Sequence, residues 1–328
     1  MNDLILNGYV NKPVDKSLDL VAEIEKLKKE KDAIILAHYY QLPEIQDIAD
    51  FIGDSLALSQ QAAKTKAQII VFAGVHFMAE TAKLLSPDKK VLLPDLMAGC
   101  SLADSCPADD FFAFKAKYPE HKVVSYINCT NEIKALSDVI CTSSNAVQIV
   151  NSFPKDQPLI FAPDKNLGDY INKISGRNMV VWPGACHVHK RFSVSRIVQL
   201  KKDHPEAKII AHPECEKDVL ILADHIGSTS SLLQFTKTDD SKTYIIATET
   251  GILHQMTKAN LQKTFIPAPP DDATCACNDC SFMKLISLEK IYNSLKYEAP
   301  EIHVDASIRE KALAPVQRML DISAKLGL

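Results

Sequence analysis

The segments IILAHYYQ (34–41), KVVSYINC (122–129) and KIIAHPEC (208–215) are three versions of one pattern. Each is a short apolar, mostly β-branched run that ends on a polar ring: His38, Tyr126 or His212. Two residues further on stand Tyr40, Asn128 and Glu214. Twelve residues after the ring comes an aspartate (Asp50, Asp138, Asp224), and seventeen after it a hydroxyl (Ser55, Ser143, Thr229). A second run follows in each unit, then a third that closes on Pro94, Pro183 or Pro267. Cysteine comes shortly afterwards: Cys100, Cys186, and the group Cys275, Cys277 and Cys280. Self-similarity of this kind marks repeated supersecondary units. The chain, at 328 residues, is too long for one ordinary core, and the rings divide it at spacings of 88 and 86 residues.

The strand-like runs are short, rich in Val and Ile, and do not alternate with polar residues. Parallel strands covered by helices on both faces read this way. Helical segments separate them, among them 55–66, 143–152 and 229–235. The rhythm implies parallel sheets. The expected fold is therefore α/β, with three homologous αβα modules carrying short parallel sheets around a pseudo-threefold axis and the active site at the centre. The module boundaries are read as 1–105, 106–190 and 191–305, with a C-terminal amphipathic helix in 306–328 placed to pack on the first module. Residues 16–31 read as an amphipathic helix, Pro107 as the opening of another, and 190–203 as a helix joining the second and third modules. The Pro/Asp-rich segment 267–280 reads as a loop. Ligands of parallel sheets bind beyond the carboxyl ends of the strands, where the rings and cysteines stand.

Composition narrows the function. A net charge of −4 suggests no basic face for nucleic acid, and no apolar stretch reaches membrane-span length. The N-terminus lacks the charged region and cleavage site of a signal peptide, so a cytoplasmic location is expected. Nine cysteines in such a setting are read as metal ligands, catalytic groups or core fillers before disulfides.

Each of the three hydroxyls stands where a helix begins. For any one alone, an N-cap is the favoured reading. At matched positions in three modules, they also suggest helix N-termini turned toward one cavity, a site for carboxylates or phosphate. A P-loop or dinucleotide glycine pattern is absent, which disfavours a nucleotide. Among the cysteines, Cys141, Cys129 and Cys215 read as small buried hydrophobes, and Cys106 as a bystander. Cys100 and Cys186 follow glycine or alanine, so the backbone there could approach a bulky inorganic group closely. The third thiolate is open among Cys275, Cys277 and Cys280, a tract that could also be half of a zinc site or a redox pair. A zinc site of three cysteines with His187 or His189 is a further possibility. Three thiolates, one per module, would leave one corner of a 4Fe–4S cubane uncovered, since that cluster normally takes four cysteines. Such an open iron is a Lewis acid, suited to dehydration or condensation.

The remaining candidates differ in chemistry at equal offsets, as an asymmetric ligand requires. Glu214 is the one carboxylate among them, and burial would raise its pKa toward acid–base use. Tyr40 and Tyr126 could donate to a developing oxyanion. Asp50, Asp138 and Asp224 read as structural, and Glu249 and Asp164 as supporting residues at strand ends.

Ten motifs spread over nearly the whole chain resemble the quinolinate synthase family. They are AHYYQ (37–41), GDSLALS (53–59), MAGCSLADSCP (97–107), SYIN (125–128), CTSSNA (141–146), WPGACHVH (182–189), AHPEC (211–215), GSTSS (227–231), ATETGILH (247–254) and CNDCSFMK (277–284). The resemblance implies three α/β modules about a pseudo-threefold axis and an oxygen-sensitive 4Fe–4S cluster with one open iron. It implies condensation of iminoaspartate with dihydroxyacetone phosphate to quinolinate, phosphate and water in NAD biosynthesis. On the family's pattern the metal ligands fall on Cys100, Cys186 and Cys280, with Ser281 where many relatives have proline. Substrate contacts fall on His38, Ser55, Tyr126, Asn128, Ser143, His212, Glu214 and Thr229, and further site positions on Tyr40 and His189. Glu214, Tyr40, Tyr126 and His212 are the expected catalytic set. The imine is unstable, which implies a functional link to an L-aspartate oxidase. Two alternatives stand beside this reading. One is an aconitase-like hydro-lyase acting on a small hydroxy acid; the other is a zinc-stabilised binding protein without catalysis.

Overall fold

The computed structural model describes residues 4–271 and 278–328. A two-stranded hairpin opens the chain, β1 (Ile5–Leu6) and β2 (Tyr9–Val10), followed by the amphipathic helix α1 (Leu20–Glu30). The first module runs β3 (Ala33–His38), α2 (Pro43–Asp47), β4 (Phe51–Gly53), α3 (Ser55–Lys64), β5 (Ile69–Ala73), α4 (His76–Leu85) and β6 (Lys90–Leu92). Two short helices, α5 (Ser101–Asp104) and α6 (Ala108–Lys115), lead to the second. Pro107 stands at the N-cap of α6, one position ahead of its expected place inside the helix. The second module is β7 (Lys122–Tyr126), α7 (Asn131–Ala135), β8 (Val139–Cys141), α8 (Ala146–Asn151), β9 (Leu159–Ala162), α9 (Lys165–Ser175) and β10 (Val180–Val181). Helix α10 (Val194–Asp203) joins it to the third: β11 (Lys208–Ala211), α11 (Lys217–Leu222), β12 (His225–Ile226), α12 (Thr229–Thr238), β13 (Thr243–Ala247), α13 (Ile252–Ala259) and β14 (Thr264–Pro267). Helices α14 (Leu288–Tyr297) and α15 (Ala306–Lys325) close the chain.

The three sheets share one topology. Their orders are β4-β3-β5-β6, β8-β7-β9-β10 and β12-β11-β13-β14, with every pair parallel. The architecture is thus three αβα modules, as the repeat implies. In each, the chain leaves the first strand for one neighbour and then returns to its other side. The order reverses at the first strand, and the crevice beyond its carboxyl end is where such sheets bind ligands.

The repeated aspartates explain why the second strand lies where it does. Asp50, Asp138 and Asp224 each accept the backbone N–H of the first strand, from Ile35, Val123 and Ile209, at 2.7, 2.8 and 2.8 Å. Their own N–H groups donate to the carbonyls of those same residues. This two-bond clamp sets the start of β4, β8 and β12 against β3, β7 and β11.

The cores of the first two modules merge into one apolar cluster. Leu36, Val71, Val124 and Phe161 belong to it, together with Ile291 and Leu295 of α14 and Val316 and Met319 of α15. The third module keeps separate clusters on the two faces of its sheet, around Ile209 and around Ile210. Helix α15 packs chiefly on α7 and β8 of the second module and also reaches α4 of the first, so it bridges the two. Among the described residues, no helix is long and apolar enough to cross a membrane.

Candidate active site

The polar rings stand at the carboxyl ends of the first strands. His38 and Tyr126 are the last residues of β3 and β7, and His212 follows β11 directly. The hydroxyls differ from the expected caps. Asp54 and Ser228 are the N-caps of α3 and α12, accepting from the backbone N–H of Ala57 and Ser231. Ser55 and Thr229 therefore occupy the first helical position, with their hydroxyls released from capping. In the second module the counterpart of Asp54 is Thr142, and α8 begins only at Ala146, so Ser143 lies in the turn ahead of it. Thr142 takes the Ser144 N–H, and the buried Asn145 side chain bonds to Thr142 N and to Ser323 of α15, which fixes that longer turn.

One central cavity lies between the modules, and all thirteen candidate residues line it: His38, Tyr40, Ser55, Cys100, Tyr126, Asn128, Ser143, Cys186, His189, His212, Glu214, Thr229 and Cys280. Among the described residues that line it there is no lysine or arginine. Contacts across the module boundaries hold the walls together. Tyr126 Oη donates to Glu214 Oε1 at 2.6 Å, His212 Nε2 lies 3.2 Å from Ser143 Oγ, and Ser144 Oγ donates to Asp54 Oδ2 at 2.6 Å. Tyr40 Oη lies 3.0 Å from Thr229 Oγ1.

The ionisation of Glu214 differs from the simple burial argument. Burial does raise its pKa, but His189 Nδ1 at 3.1 Å, His212 and the Tyr126 hydroxyl outweigh it and hold Glu214 down at about 2. It is a carboxylate, a proton acceptor. Burial pushes His38 down to about 4 and His212 down to about 3, against the pull of Asp54 and Glu214, so both rings are neutral hydrogen-bonding groups at pH 7. Burial pushes the Tyr40 and Tyr126 hydroxyls well up, and both keep their protons.

The cysteines separate by position. Cys106, Cys129, Cys141 and Cys215 are buried away from the cavity, whereas Cys100, Cys186 and Cys280 are partly exposed and line it, one from each module's return loop. Cys275 and Cys277 lie outside the described residues. Burial pushes Cys100 up to about 12 and Cys186 well above a free thiol; Cys100 is raised further by Cys280, and Cys186 by Glu214 and Cys100. Three thiols that line one cavity form a donor set that becomes anionic when a cation binds. Cys186, His189 and Glu214 also group, with one ligand atom from each within 4.8 Å of the others. The residues present therefore fit a metal centre. The two glycines near these cysteines differ in how closely they are packed. A Cβ on Gly184 would lie 2.3 Å from Ser105 Oγ and 2.5 Å from the Pro163 carbonyl, so close packing requires it, while one on Gly99 would make only ordinary contacts.

Some neighbours of these residues escaped the sequence reading, and Glu249 entered it only as a supporting residue. Thr248 sits between Tyr40 Oη at 2.7 Å and His189 Nε2 at 3.0 Å. Glu249 accepts the Cys280 N–H at 3.0 Å and pairs with Lys284 at 2.9 Å, and Lys284 also donates to the Tyr40 carbonyl at 2.7 Å. Asn166 donates to the Glu214 carbonyl at 3.0 Å. The only signal for Glu249 was its strand-end position; Lys284 had none beyond its motif.

Known proteins resemble this chain over nearly its whole length. The family model described as Quinolinate synthetase A protein matches residues 22–321. The quinolinate synthase of Thermosynechococcus vestitus is 64% identical over 306 residues, covering 93% of this chain and 96% of the relative. That of Trichormus variabilis is 63% identical, covering 93% and 94%, and that of a Synechococcus species 59% identical, covering 94% and 97%. The chain belongs to the quinolinate synthetase A protein family.

Proposed function

We propose that this chain is a quinolinate synthase that condenses iminoaspartate with dihydroxyacetone phosphate, releasing phosphate and water. Cys100, Cys186 and Cys280 would hold a 4Fe–4S cluster. Its open iron would supply Lewis-acid polarisation of a substrate heteroatom. The observation that carries the reading is the convergence of three cysteines, one per module, on a cavity that also holds every polar candidate of the repeat.

The side chains supply the rest. The substrates are anionic, yet the described lining residues include no lysine or arginine. Recognition falls to neutral donors: the hydroxyls of Ser55, Ser143 and Thr229, the rings of His38 and His212, and the side chain of Asn128. The Asn128 Oδ1, an acceptor, is buried without a partner among the described residues, which suits a ligand that brings an N–H or O–H to it. The first turns of α3 and α12 add backbone partial charge, although Asp54 and Ser228 each take up one N–H. Glu214, ionised and gripped by Tyr126 and His189, accepts protons during the isomerisation and dehydrations. Tyr40, protonated and anchored in the wall, exchanges protons on the opposite side. The buried setting keeps bulk water from the imine, which an L-aspartate oxidase would supply.

Glu214→Gln tests the assignment. The variant keeps its shape and its metal, and turnover to quinolinate falls by about 10²–10⁴-fold, the range for a lost acid–base group. Quinolinate formation at the wild-type rate would remove Glu214 from the mechanism. The grouping of Cys186, His189 and Glu214 favours a second reading, a single zinc ion in the same place. Metal analysis separates the two.

A further inference from the structure

Six polar side chains form one unbroken line along the cavity wall. Tyr126 Oη donates to Glu214 Oε1 at 2.6 Å, and Glu214 Oε2 lies 3.1 Å from His189 Nδ1. Across the same ring, His189 Nε2 is 3.0 Å from Thr248 Oγ1. Thr248 Oγ1 is 2.7 Å from Tyr40 Oη, which is 3.0 Å from Thr229 Oγ1. Five of the six line the cavity; Thr248 does not, and is only 1% exposed. It is nonetheless the link between the half of the line that holds Glu214 and the half that holds Tyr40.

We propose that Thr248 is a positioning residue for the reaction, whose hydroxyl fixes the orientation of the His189 ring and of the Tyr40 hydroxyl and so links Tyr40 to Glu214. The inference rests on the reading of Glu214 and Tyr40 as the proton-handling pair. His189 Nδ1 faces two acceptors, the Glu214 carboxylate and, at 3.3 Å, Cys186 Sγ. Nδ1 therefore carries a hydrogen, and Nε2, on the far side of the ring, faces the Thr248 hydroxyl. Thr248 shares its one hydroxyl between His189 and Tyr40, so its orientation ties the ring to the phenol. At the other end of the line the Glu214 carboxylate accepts from both of its neighbours, Tyr126 and His189.

A hydrophobic isostere breaks this order without changing the shape. In Thr248→Val, His189 Nε2 and Tyr40 Oη each lose their hydrogen-bond partner at this position, and the ring and the phenol lose their fixed orientation. Thr248→Ser keeps the hydroxyl and drops only a methyl. Both would be purified anaerobically beside wild type and Glu214→Gln. Their iron content, kcat and KM for quinolinate formation, and the pH dependence of kcat would then be compared. Iron content should be unchanged in both. Thr248→Val should lose about 10–100-fold in kcat, the range for removing a partner that orients a reacting group. Its KM should stay within about threefold and its pH profile should shift, while Thr248→Ser should recover most of kcat and the wild-type profile. Three results would overturn the proposal: wild-type kcat in Thr248→Val, equal loss in Thr248→Ser, or a loss in Thr248→Val explained by missing iron. Glu214→Gln distinguishes the levels of failure. If it is inactive while Thr248→Val is normal, only the role of Thr248 falls. If it is fully active, the proton-handling reading falls with it.

Discussion

Glu214 shows why the chemistry of a residue can be foreseen more easily than its charge. Its offset from the ring marks it as the carboxylate of the set, but the His189 that keeps it ionised comes from another module, 25 positions earlier in the chain. No local pattern announces that contact. Thr248 was hidden for a different reason. Its counterparts in the repeat are Gly74 and Pro163, which carry no hydroxyl, so matched positions do not single it out. By contrast the rings, hydroxyls and cysteines stood out because three copies of each survive at fixed spacing. The neutral histidines make a testable statement about acid. His38 and His212 titrate near 6.5 when unfolded but at about 4 and about 3 when folded. Between those values the unfolded chain binds protons that the folded chain does not, so stability rises with pH there. Glu214, depressed from 4.5 to about 2, adds a contribution lost as pH falls below 4.5. The melting temperature should be highest above pH 6.5 and fall steadily toward pH 4, less steeply in His38→Gln. Equal melting temperatures at pH 7 and pH 5 would contradict the buried neutral rings.

At the scale of elements, strand and helix order were legible because each module alternates buried β-branched runs with amphipathic stretches. The ends of elements were less so. The cap of α3 is Asp54 and that of α12 is Ser228, each one residue ahead of the hydroxyl that the repeat emphasises. The N-terminal hairpin went unread, although Asn7 and Gly8, both at positive φ, are the residues a tight hairpin turn favours. Its strands are two residues long and offer no periodicity. The aspartates were read as structural, and the structure supplies the reason: each clamps the first strand by a side-chain and a main-chain bond. Asp138→Ala should leave the buried Val123 N–H without its acceptor and cost about 1–3 kcal/mol of stability, read by denaturant unfolding. Quinolinate formation should be unchanged, because Asp138 is not a lining residue. A variant of wild-type stability would show that the clamp contributes nothing.

At the scale of the whole molecule, the three modules behave as one body built around their shared centre. Gln46, 1% exposed, lies within 3.0 Å of the carbonyls of Tyr39, Gln41 and Gly251 and so pins the first module to the third. A Cβ on Gly251 would come within 2.7 Å of the Tyr40 backbone, which shows how closely the two approach beside the cavity. The threefold arrangement could be inferred from the repeat, because three like sheets with special residues at like ends must face one another to share a ligand. The return of the chain after the third sheet was legible only as the helix in 306–328 placed on the first module, since α14 has no counterpart in the repeat. The apolar faces of α14 and α15 join the core of the first two modules, which places the Cys280 loop between the third module and the first. The central claim is that three pseudo-equivalent cysteines, and not the buried ones, hold the metal centre. Its most direct test is the iron and sulfide content of the anaerobically purified protein, measured for wild type and for Cys100→Ala, Cys186→Ala, Cys280→Ala and the control Cys129→Ala. The account predicts about four irons and four sulfides per chain in wild type and in the control, and their loss in the other three variants. One zinc per chain without visible absorption, or a cluster that survives in Cys280→Ala, would contradict it.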